Sequence, residues 1–183
     1  MLTDHRIFAS LTLFMGFMTA AWSSNAFEAV PLLGVIGVVL GVSAVVAGVM
    51  ALRRHPRREA SAIEGRRSGG VVSLRAAAIF AGIEVVVIVL VSVLLGVFGH
   101  GDVIVPAVAF VVAAHFALFR LVQEQPLHVV AAVAGCCGAG LAIVLVLLGS
   151  IDEATGRAVA GLSLAACTAA YAAVFGRAAL SRA

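Results

Sequence analysis

The sequence predicts an all-α integral membrane protein: a bundle of six transmembrane helices with both termini cytoplasmic. Of its 183 residues, 63% are hydrophobic and only 11% are charged, and the mean hydropathy is +1.17. A soluble domain is about 45–50% apolar and about 25% charged, so much of the apolar excess here must face lipid. Six apolar runs approach the roughly 20 residues that a helix needs to cross a bilayer core about 30 Å thick. The arginines, finally, fall almost entirely on alternate connections between those runs.

Span one covers about 7–26. Arg6 precedes it, SSNAFE follows it without a basic residue, and Trp22 suits the aromatic belt at a membrane interface. The same Arg6, short apolar core and Ser24–Ala26 also fit a cleaved signal peptide, although Asp4 is out of place in one. Span two, about 29–52, carries Gly34, Gly37, Gly41, Ala44, Gly48 and Ala51 at alternating spacings of three and four. Helices in lipid associate by close van der Waals contact, so this stripe marks a tight packing face. It packs within the chain or against another subunit, in a homo- or hetero-oligomer. Span five has a looser version in Ala131, Gly135, Gly138 and Ala142.

The segment 53–75 between spans two and three holds seven arginines and is expected to be a cytoplasmic loop touching anionic lipids. No aromatics interleave with them, which argues against nucleic acid. Span three runs about 76–98, span four 103–122, span five 127–149 and span six 157–177. Pro31, Pro106 and Pro126 lie near helix starts, where a missing N–H costs nothing. No proline breaks a span, so the interrupted helices of many ion-coupled transporters are not signalled. With both termini inside, Arg157 is the only one of the twelve arginines left outside. That asymmetry follows the positive-inside rule. Arginine without a single lysine, among many Ala, Val and Gly, suggests a GC-rich bacterial genome and hence a bacterial plasma membrane.

Two titratable side chains lie well inside the spans: Glu84 in FAGIEVVVIVL and His115 in VVAAHFALFR. A charge at the bilayer centre costs about 2.5–3.5 kcal/mol on insertion scales, so each demands a reason. At 1.5 Å per residue, Glu84 lies roughly 13 Å from Arg75 and His115 roughly 7 Å from Arg120, a height difference of roughly 6 Å. Spans three and four are joined by GHGD and must be antiparallel neighbours. Glu84 shares a face with Ala77 and Ala81, a stripe expected to point into the bundle. His115 sits opposite the stripe Ala109, Ala113, Ala117, so the pair meets only if span four packs on two faces.

Three uses of the two residues stand open. They satisfy each other by hydrogen bonding, they bind and release a proton or cation during transport, or they join Cys136 or Cys137 in a metal site. No metal-ligand spacing supports the last, and no cofactor motif is present. Ser43, Ser163 and Thr168 are expected to bond back to their own helices, and Tyr171 to sit at the interface. No nucleophile and base can be placed together, so an enzyme is not expected.

FAGIE at 80–84, Pro106 and AAHFAL at 113–118 are similar to motifs of a group of small bacterial six-span membrane proteins without assigned activity. That group has an acidic residue in span three and a G-L-H-F-x-P-L-A-like stretch in span four. The likeness covers about residues 76–150. Ala113 stands at the pattern's glycine, and Leu118 replaces its proline. The resemblance implies no chemistry of its own, but it singles out Glu84, His115 and Phe116. The expectation is a multi-pass membrane protein, a small proton- or cation-linked transporter using Glu84 and His115. The alternative is a non-catalytic scaffold or accessory subunit docking through the small-residue face of span two.

Overall fold

A computed structural model describes residues 5–54, 74–118 and 125–180, and among them are six α-helices and no strand. They are α1 (His5–Ser23), α2 (Pro31–Arg54), α3 (Leu74–Val97), α4 (Ile104–Leu118), α5 (Pro126–Leu147) and α6 (Glu153–Leu180). All six belong to segments long and apolar enough to cross a membrane. The chain is a multi-pass, six-helix membrane protein. The Arg-rich segment 53–75, apart from its helical ends, lies outside the described residues, as do Arg120 and Arg182.

Local chemistry sets the helix ends. Pro31 and Pro126 each occupy the first helical position, where proline's fixed φ suits the helix. After α3 and α5 the backbone turns left-handed at Gly99 (φ 78°) and Gly149 (φ 65°). His100 then donates to the Leu95 carbonyl and Ser150 to the Leu145 carbonyl, closing two Schellman motifs. The last helix starts at Glu153 rather than 157 because Asp152 caps it: its carboxylate accepts from the Thr155 amide at 2.8 Å. Apolarity alone cannot see a polar, capped first turn. Within the helices, Ser43, Ser163 and Thr168 donate back to carbonyls one turn earlier, as expected of hydroxyls in lipid.

The hub is α6, which packs against α1, α2, α4 and α5. Its inward face carries Leu164, Thr168, Tyr171 and Phe175, all buried. The other contributors to the core are mostly alanines, with Met15 and Phe116 among them. Small residues let these backbones approach closely, and the α1–α2 pair shows how closely. A Cβ built on Gly41 would lie 2.6 Å from the Ala20 nitrogen and the Gly16 oxygen, and one on Gly48 would lie 2.8 Å from the Leu13 nitrogen. Gly34 faces Phe27, and Gly37 faces the Ser23 hydroxyl. Ala44 lies 2.8 Å from a Cβ built on Gly16. The stripe of α2 is therefore filled by α1 and the turn after it, which corrects the expectation of a free docking face for a scaffold. On α5, Gly135 faces Ala113 of α4, and Gly138 faces Ser163 of α6.

Span one keeps the place expected of it, and one further expectation, for α3, changes. Span one is a full member of the bundle: α1 lies against both α2 and α6, and Thr19 and Thr168 hydroxyls meet at 2.9 Å across the α1–α6 interface. In α3, none of the side chains from Ile79 onward is buried, and among the described residues its backbone comes within 8 Å only of α4 and of the short turn before α4. Ala81 thus does not pack into the bundle. Instead it borders a cleft.

Candidate functional site: an intramembrane cleft holding a carboxyl–imidazole pair

Among the described residues α1 and α3 make no backbone approach within 8 Å, although both flank the middle of the bundle. Between them lies a cleft of about 490 Å³. One jaw is α1, through Phe14, Met15, Met18 and Trp22; the other is α3, through Phe80, Ala81, Glu84, Val85 and Ile88. Its back wall comes from α4, with Val112, His115 and Phe116 among others, and Thr168 of α6 forms part of the floor. Among the described residues α4 and α6 stand behind the two jaws, and no contact joins α1 to α3. The volume of the cleft is in the range of small-molecule sites, which are mostly apolar with a few placed polar groups.

Those polar groups include Glu84 and His115, which the fold brings together: His115 Nδ1 is 3.6 Å from Glu84 Oε2. This separation is too long for a direct hydrogen bond and short enough for strong electrostatic interaction. The side chains are 20% and 13% exposed, so both border the cleft without being sealed in protein. The helix-face conflict seen in the sequence resolves because α4 does pack on two faces. Ala109, Ala113 and Phe116 are buried against the core, whereas His115, turned away from that stripe, reaches α3. Ala117 is exposed and takes no part in the buried stripe. The two residues also lie at one depth: Glu84 is thirteen residues from the end of α3 at Val97, and His115 eleven from the start of α4 at Ile104.

Behind the cleft is an arrangement that the sequence did not reveal. Tyr171 is not interfacial but 1% exposed, and its hydroxyl lies 2.7 Å from His128 Nδ1. A phenol buried without a partner would be costly, and the imidazole supplies the partner. His128 belongs to the first turn of α5 and is 3% exposed. Tyr171 also packs on Phe116 (ring centroids 5.2 Å apart) and on Phe175 (5.6 Å). It therefore braces the α4 segment that carries His115. The only available hint was Thr168, Tyr171 and Phe175 recurring on one face of an otherwise Ala-rich helix.

The cysteines do not complete a metal site. Cys136 Sγ points to the Phe110 carbonyl at 3.8 Å, Cys137 is exposed, and Cys167 Sγ lies 3.4 Å from the Ala131 carbonyl. Among the described residues, no three His, Cys, Asp or Glu side chains gather closely enough to hold an ion. On the far face, Arg157 pairs with Glu28 at 2.5 Å and with Glu153 at 3.5 Å, tying the start of α6 to the α1–α2 turn. No protein-family model, curated protein or solved structure matches the chain.

Proposed function

We propose that the protein is a small proton- or cation-linked transporter of a bacterial plasma membrane, with Glu84 as the exchanging group and His115 as its neighbour. The observation that carries this reading is the placement of the pair: two ionisable side chains 3.6 Å apart, both partly exposed, on the wall of a cleft inside the membrane. A pair with only a structural role would be expected deep in packed protein, where nothing can reach it. An ionised carboxylate at this depth needs a counter-charge, and a proton, the imidazolium of His115 or an incoming cation can each supply it. Mutually exclusive occupancy by proton and cation is the elementary requirement for exchange. His115 suits the accompanying role by position, its Nδ1 being 3.6 Å from the Glu84 carboxylate. Cytoplasmic termini, contact of the arginine-rich segment with anionic lipid, and kinship with the small bacterial six-span proteins that the chain resembles belong to the same proposal.

The test is exchange in liposomes. Purified protein is reconstituted with an internal pH indicator, and an outward proton gradient is opposed by Na⁺, K⁺ or tetraphenylphosphonium. Wild type dissipates the gradient with at least one of these, and Glu84→Gln falls to the rate of protein-free liposomes. Equal rates for wild type and Glu84→Gln with every cation would overturn the proposal.

A further inference from the structure

The lining of the cleft says more about its occupant than the polar pair does. Four aromatic side chains border it: Phe14 and Trp22 from α1, Phe80 from α3 and Phe116 from α4. Met15 and Met18 stand beside them. The faces of aromatic rings attract cations, more strongly when the partner is desolvated. Thioethers are polarisable and adapt to ligands of differing shape. Among the described residues of the lining, Glu84 is the only carboxylate and none is an arginine. An anion would face that carboxylate with only His115 in its favour, and a neutral hydrocarbon would strand it. A small hydrated metal cation would find too few oxygen ligands among apolar walls. A large organic cation suits every group present, since it sheds little hydration and carries its own apolar surface.

Access points the same way. The cleft lies between two membrane-crossing helices, α1 and α3, so lipid is a route by which an occupant can reach it. Lipophilic cations partition into membranes and approach from that direction.

We infer that the cleft between α1 and α3 binds lipophilic organic cations, with Glu84 as the counter-charge and the rings of Phe14, Trp22, Phe80 and Phe116 as the cation-facing walls. The inference rests on the reading of Glu84 as the exchanging group and names what is exchanged: one cation enters as one proton leaves the carboxyl group.

Trp22 is the only tryptophan in the chain and borders the cleft, so its fluorescence reports occupancy directly. Tetraphenylphosphonium titrated into the full chain in mild detergent is expected to change that fluorescence saturably. Tetraphenylborate, of like shape and opposite charge, is expected to bind at least about tenfold more weakly. Glu84→Gln is expected to weaken tetraphenylphosphonium binding by about tenfold or more. Ala81→Phe, at an exposed position on the jaw that carries no buried side chain beyond Ile79, fills the cleft without touching the core. It should weaken binding comparably while leaving the circular dichroism spectrum unchanged. Binding unaltered by both substitutions, or tetraphenylborate binding as tightly as tetraphenylphosphonium, overturns the inference. Proton release measured in weakly buffered solution separates it from the reading beneath. Binding with about one proton released supports both. Binding without proton release keeps the cation site and overturns the exchange. Proton exchange against Na⁺ or K⁺ without tetraphenylphosphonium binding keeps the exchange and overturns the cation site.

Discussion

Tyr171 and Asp152 show how a single side chain reports its surroundings. Removing the hydroxyl in Tyr171→Phe keeps the ring packed on Phe116 and Phe175 but takes away the partner of His128 Nδ1. Buried polar groups left unpaired cost about 1–3 kcal/mol, while interhelical hydrogen bonds in membranes average nearer 0.6. A loss of about 1 kcal/mol is expected, read as lowered resistance to unfolding in detergent; unchanged stability would show that the bond contributes nothing. Asp152 is outside the apolar part of the bundle, and hydrogen bonds from the Thr155 side chain and amide hold its carboxyl below the usual carboxylate range. A depressed value in the fold means that the cap stabilises the protein above the ordinary carboxylate pKa. The contribution is lost as pH falls through the depressed value. In Asp152→Asn the cap survives at neutral pH, because asparagine caps as well as aspartate. The variant should therefore lose less stability than wild type on acidification below about pH 4. Identical acid profiles would count against the cap's role.

Between helices, glycine has opposite meanings on α2 and α3. At Gly41 an added methyl group would meet backbone atoms of α1 at 2.6 Å, which no rotamer change relieves. At Gly82 no atom of the described residues lies within 4 Å. Gly41→Ala is therefore expected to loosen the α1–α2 pair by about 1–3 kcal/mol, as overpacked sites do. Gly82→Ala should be neutral or stabilising by up to about 1 kcal/mol, from helix propensity. Comparing the two by thermal unfolding in detergent checks both statements, and similar effects would mean that α1 and α2 are not so closely packed. The small-residue stripe of α2 was legible as a tight face from its spacing of three and four. Its partner was less plain, because the receiving row on α1, Ala9, Leu13, Gly16 and Ala20, repeats the spacing with fewer glycines and a leucine among them. The position of α3 was equally hidden. Its hydropathy is the highest of the six segments, and an evenly apolar helix reads alike whether protein or lipid surrounds it.

For the whole molecule, charge separates to the two ends of the bundle. Arg53, Arg54 and Arg177 lie in the last turns of α2 and α6, and Glu28, Asp102, Asp152 and Glu153 lie at or beside turns of the opposite face. The exception, Arg157, is held by Glu28 and Glu153. Reporter fusions at residue 183 and within 55–73 should therefore read cytoplasmic, and insertion of the same reporter at His100 should read outside. The reverse pattern would invert the orientation.

Composition, arginine placement and the 1.5 Å rise per residue were enough to specify six crossing helices and to find the two costly side chains. Each of these depends on local sequence and on the bilayer, a solvent whose thickness is known beforehand. Whether Glu84 and His115 meet, whether α4 packs on two faces and whether a cleft separates α1 from α3 were decided only by the fold. Lipid supplies no hydrophobic force to press one apolar helix against another, so helix order and gaps follow from steric fit and a few polar contacts. Those fits pair residues far apart in the chain, as Thr19 with Thr168 and His128 with Tyr171 demonstrate.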